Sequence, residues 1–85
     1  MYYPFISKEQ LISHLPEMEA KKVSVVARSP EQFVSQYLKY GKNMPLQWQQ
    51  KRNAFIARHL AAYKINPTRR RELCLLCWGF DPEKY

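Results

Sequence analysis

Only two of the 85 residues are glycine, Gly41 and Gly79, and each closes an apolar stretch of helical period. That punctuation dictates helices and leaves no glycine-rich loop to cradle a phosphate. The other stops are equally legible. Ser7-Lys8-Glu9-Gln10 is a capping box, in which the serine oxygen and the Gln10 side chain satisfy orphan backbone N–H groups. Leu11, Ile12 and Leu15 give the following helix an apolar face, and Pro16 predicts its end at Leu15. A second box, Ser29-Pro30-Glu31-Gln32, places proline in the first helical turn. Phe33, Val34, Tyr37 and Leu38 form its stripe, which predicts a helix over residues 30–40 ended by Gly41.

The longest helix is predicted from Pro45 to about Lys64. Trp48, Phe55, Ile56, His59, Leu60 and Tyr63 recur on one side, while Gln47, Lys51, Ala54, Arg58 and Ala61 make a basic outer face. Asn66-Pro67 reads as N-cap and first-turn proline of a last helix over residues 67–78. Its Leu73, Cys74, Leu75, Leu76, Cys77 and Trp78 are apolar nearly all round, so this helix is central to the core or covered by a partner. Residues 81–85 read as a short tail. Residues 17–28 are ambiguous: Val23, Ser24, Val25 and Val26 have the composition of a short strand, but a lone strand lacks a mate, and helical spacing is preferred.

The expected fold is therefore all-α, a small single-domain bundle of about four helices spanning residues 1–85. Apolar types make up 46% of the chain and charged types 25%, which is globular rather than disordered composition. No apolar run approaches the roughly 18 residues of a membrane span, and residues 1–5 carry no secretory pattern. A cytoplasmic protein with no membrane partner is expected, and its two cysteines are expected to be reduced thiols.

Charge is unevenly spread. Net charge is +7, yet residues 1–40 hold five basic and four acidic side chains, against nine and three in residues 41–85. The C-terminal half, residues 41–80, is strongly basic, and between Glu31 and Glu72 there is no acidic residue at all. A one-signed field draws in nucleic acid, anionic lipid or an acidic protein surface. Lys51, Arg52, Arg58, Arg69, Arg70 and Arg71 are the expected partner-binding residues. The arginine triplet is the oddest of these, because three cations in the first turn of a helix oppose its macrodipole and ask for an external anion or carboxylate cluster.

Chemistry is harder to find. Cys74-Leu75-Leu76-Cys77 is a CxxC, and with His14 and His59 it offers four zinc-ligand types, but no second ligand pair stands at finger spacing. A pair near a helix C-terminus is also poorly placed for redox work, so the cysteines read as packing residues, with no metal and no cofactor. The seven carboxylates are scattered through caps, faces and tail, and no nucleophile has a nearby partner. An enzyme is not expected. A helix-turn-helix over residues 18–27 and 30–40 fits poorly, since the exposed positions Glu31, Gln32, Ser35, Gln36 and Lys39 are barely basic. Aromatic residues, among them Tyr2, Tyr3, Tyr37, Tyr40, Trp48, Tyr63 and Trp78, supply the types that dominate protein–protein hot spots, and several are expected to stay partly exposed.

In size, in helical pattern, and in the basic helix, Asn66-Pro67 and Thr68-Arg69-Arg70-Arg71 helix of its C-terminal half, the chain resembles the anti-RecBCD proteins of lambdoid phages. The resemblance covers about residues 29–80. It implies a non-catalytic phage protein that binds the host RecBCD exonuclease–helicase, on RecC, in the bacterial cytoplasm and alters its activity during recombination. The alternative from another class is a small basic DNA-binding transcriptional regulator of a mobile element. Pro67 adds a further expectation: trans in the free protein, it is an isomer hinge whose state partner binding selects and a prolyl isomerase accelerates.

Overall fold

The computed structural model describes residues 3–84 and contains four helices: α1 (Lys8–Ala20), α2 (Phe33–Tyr40), α3 (Leu46–Ile65) and α4 (Arg69–Cys77). Short 3-10 turns follow at Gly41–Asn43 and Pro82–Lys84. The expected all-helical, single-domain bundle is what forms, with no β-strand among the described residues. Tyr2 and Tyr85 lie outside them.

The helix starts obey local chemistry where it is strong. Ser7 accepts from the Gln10 N–H at 3.1 Å while the Gln10 side chain accepts from the Ser7 N–H at 2.9 Å, so the first capping box closes as read. Pro16, however, does not end α1. The carbonyl deprived of its donor belongs to Ile12, a residue on the exposed side of the helix, where its loss costs less than in the core. Beyond the proline, fully buried Met18 and an ion pair from Glu17 to α4 hold the helix to Ala20.

Residues 21–32 are neither helix nor strand but successive turns. The second box fails because Ser29 turns its hydroxyl back to donate to the Val25 carbonyl at 2.9 Å, and Glu31 sits at φ +65°, outside any right-handed helix. Helix α2 therefore begins at Phe33 with Gln32 as an N-cap that makes no side-chain bond. With residues 18–20 ending α1 and residues 21–27 in turns, no separate helix spans residues 18–27 and the helix-turn-helix reading falls.

Helix α4 is also shorter than expected. Thr68, not Asn66, caps it, accepting from the Arg71 N–H at 3.1 Å, so Pro67 precedes the cap instead of sitting inside the first turn. No peptide bond among the described residues is cis, so Asn66–Pro67 is trans. Helix α4 is central to the core, packed against both α1 and α3. Its Leu73, Leu76 and Cys77 join Leu11, Met18, Phe33 and Trp48, while Leu75 packs with Ile56, Leu60, Tyr63 and Phe80. Gly79 closes the helix at φ +74°, a conformation that an L side chain resists. Phe80 after the helix is buried, and the predicted tail of residues 81–85 contributes Pro82 to the interior.

Candidate functional site

The expected partner-binding cations separate into two groups once placed. Arg52 is 2% exposed and belongs to the interior. Its Nε donates to the Trp78 carbonyl at 2.8 Å, Nη1 to that of Tyr3 at 2.7 Å, and Nη2 to those of Pro4 and Gly79 at 2.9 and 3.0 Å. Trp78 caps the C-terminus of α4, where unpaired carbonyls carry the negative end of the helix dipole, and a cation there is stabilised without any carboxylate. The guanidinium also lies 3.7 Å from the Phe5 ring centre. Arg52 thus pins the chain's first described residues to the end of α4, and it is not part of a partner-facing surface.

Of the arginine triplet, Arg69 finds its anions inside the chain, while Arg70 and Arg71 donate to backbone carbonyls. Arg69 donates through Nη2 and Nε to the two Glu17 oxygens at 2.6 and 2.9 Å, and through Nη1 to Glu72 at 2.8 Å. Hydrogen bonds from Arg69, then from Lys21, hold the Glu17 carboxyl at about 2, well below the usual carboxylate range. Arg70 donates to the Lys21 carbonyl at 3.1 Å and Arg71 to that of Asn66 at 3.0 Å. The unfavourable charge of Arg69 at the N-terminus of α4 is therefore offset by Glu17 of α1 and Glu72 of α4. Lys51 and Arg58 are exposed, as expected of a basic outer face on α3.

Cys77 is buried, and burial pushes its thiol up to about 11, which disfavours the thiolate that redox or nucleophilic chemistry needs. Cys74 is half-buried. Among the described residues, no three His, Cys, Asp or Glu side chains converge as metal ligands would. His59 stacks on Phe55 with ring centres 3.9 Å apart, and burial followed by the nearby Arg58 charge lowers its pKa, keeping it neutral.

The most distinctive surface is one the sequence reading passed over. A groove of about 410 Å³ opens between the turns of residues 21–32 and the α3 and α4 helices. Val25, Val26, Phe33, Trp48, Phe55 and Trp78 form its apolar walls. Val25 and Val26 are 55% and 72% exposed, although valine is ordinarily an interior residue. Lys22 and Ser24, on either side of buried Val23, hold φ angles of +54° and +52°, each costing about 1 kcal/mol for a residue with a side chain. Through those two kinks Val23 and Ala27 are driven into the core while Val25 and Val26 are left outside.

The aromatic walls stack on one another. Phe55 lies between His59 at 3.9 Å and Trp78 at 4.6 Å, and Trp78 continues to Phe33 at 4.5 Å, all within 26° of parallel. Two parallel rings so close to Phe55 cannot share one face without overlapping, so both of its faces are covered. The column presents ring edges to the groove. Lys22 lines the rim, and the Lys51 ammonium lies 4.6 Å from the centre of the Trp48 ring. Of the aromatic residues among which several are expected to stay partly exposed, Tyr40 is exposed and Trp78 half-buried, while Tyr3, Tyr37, Trp48 and Tyr63 are buried.

No helix among the described residues is long and apolar enough to cross a membrane. No known protein family, curated protein sequence or solved structure matches the chain.

Proposed function

We propose that this chain is a non-catalytic protein-binding modulator, encoded by a phage and acting in the host bacterial cytoplasm, whose partner is the RecBCD exonuclease–helicase. It docks on RecC and alters nuclease behaviour during recombination without chemistry of its own. The partner's identity rests on the resemblance in the C-terminal half. The mode of action rests on one observation: the exposed groove is walled by valine and aromatic side chains and rimmed by lysine, which is hot-spot composition for a protein interface.

Duplex binding by a transcriptional regulator is the weaker reading. Of the basic residues in the acid-free stretch, Arg52 is buried among carbonyls and Arg69 is engaged by two carboxylates, so fewer cations remain to meet phosphates. Fluorescence anisotropy of the labelled protein, titrated with purified RecBCD and separately with duplex DNA, distinguishes the two. The expected outcome is saturable binding to RecBCD that weakens less than about tenfold between roughly 50 and 200 mM salt. Absence of RecBCD binding, or duplex binding that falls by orders of magnitude over that range, would contradict it.

A further inference from the structure

We infer that the groove beside residues 21–32 is a docking site for an acidic amphipathic protein segment, one that inserts aliphatic or aromatic side chains between Val26 and the ring column and sets carboxylates against Lys22 and Lys51. The inference deepens the proposed function and rests on its reading of the chain as a protein binder.

Charge complementarity selects the occupant. No Asp or Glu side chain lines the groove, whereas Lys22 stands on its rim and Lys51 lies over Trp48, one of its walls. Exposed Arg58 stands one residue before His59, at the end of the column, and its charge acts on that imidazole. Of the acidic side chains, Glu17 and Glu72 are held by Arg69, while exposed Glu31 adjoins Gln32 of the lining and leaves the lysine side of the rim positive. A segment carrying carboxylates beside apolar side chains therefore meets complementary charge at the rim and apolar surface within.

Ring geometry excludes the competing ligand for a basic aromatic surface, single-stranded nucleic acid. Such strands bind by laying bases on open aromatic faces. Here both faces of Phe55 are taken by His59 and Trp78, and Trp78 also packs on Phe33. Ring edges and valine methyl groups are what the groove offers, and these suit aliphatic side chains and aromatic edges. Neutral His59 adds no charge to the apolar column.

The test is an NMR titration of the isotopically labelled full chain with three probes: an amphipathic peptide bearing leucines on one face and glutamates on the other, its lysine counterpart, and oligo-dT. The acidic peptide is expected to shift Val25, Val26, Trp48 and Phe55 resonances saturably, with the lysine peptide at least about tenfold weaker. Val26→Glu, at a position exposed enough to leave folding intact, should weaken the acidic peptide at least about tenfold, and so should Lys22→Glu combined with Lys51→Glu. Equal binding of the two peptides, shifts elsewhere on the chain, or oligo-dT at these resonances would overturn the inference. The same variants titrated against RecBCD separate its failure from that of the functional reading. If RecBCD binds wild type and Val26→Glu alike, the groove is wrong and the reading stands. If RecBCD ignores wild type while the acidic peptide fills the groove, the reading is wrong and the groove stands.

Discussion

Arg69 at the start of α4 grips both oxygens of Glu17, fifty-two residues earlier in the chain on α1, at 2.6 and 2.9 Å. A bidentate guanidinium–carboxylate pair fixes direction as well as distance, so it sets the angle at which α1 crosses α4. Glu17 lies one residue beyond Pro16, and the same pair keeps α1 helical past that proline.

The Glu17 pair makes stability depend on acid in a defined window. The carboxyl is lowered in the folded protein from 4.5 to about 2, so its contribution is complete above pH 4.5 and disappears as pH falls through about 2. Urea unfolding at stepped pH should show stability declining between those limits, and Glu17→Gln should flatten that decline. Because the pair is partly exposed, added salt should weaken the effect. An unchanged pH profile in the Gln variant would remove Glu17 from this role.

Arg52→Ala is predicted to be the most damaging substitution of a charged residue in the chain. It takes the guanidinium donor from the Tyr3, Pro4, Trp78 and Gly79 carbonyls, of which Gly79 keeps the Ile6 N–H at 2.8 Å, and a loss of about 3 kcal/mol or more is expected. Arg52→Lys should recover only part, since an ammonium cannot reproduce the planar fork. Chemical denaturation measures both, and a loss under about 1 kcal/mol for Ala would show that water replaces the guanidinium.

The two thiols should differ in reactivity. Burial holds Cys77 at about 11, so a thiol reagent at neutral pH should modify Cys74 first and reach Cys77 only on unfolding. Mass spectrometry of the quenched reaction reads this directly. Equal rates would mean that the α4 core opens readily.

His59 should stay neutral below its ordinary pKa of 6.5. Since its folded value is lowered, its contribution is present above 6.5 and is lost as pH falls through the folded value. The imidazole proton shifts in an NMR pH titration check this, and a midpoint at or above 6.5 would contradict the stacked, desolvated placement on Phe55.

Local signals carried the fold where their chemistry had no competitor. The Ser7 box, the Gly41 and Gly79 stops and the long α3 stripe form as read. Ser29-Pro30-Glu31-Gln32 has the same residue pattern yet fails, because tertiary burial of Val23 and Ala27 forces turns that put Glu31 at positive φ. Arg52 was legible and missed: it stands four residues after Trp48 and four before Ile56, inside the buried stripe, where charge alone argued for the surface. The groove was not legible, since its walls come from residues 25–26, 33, 48, 55 and 78 and meet only through the tertiary fold.

Hydrogen exchange of the chain bound to RecBCD tests the account most directly. The amides of residues 21–23 and 28–29 are tied to backbone carbonyls, whereas those of residues 24–27 make no such bond, so these exchange readily in the free protein and report any cover. The account predicts strong slowing across residues 24–27, with the 64–72 segment little changed. No slowing anywhere, or slowing confined to residues 64–72, would contradict it.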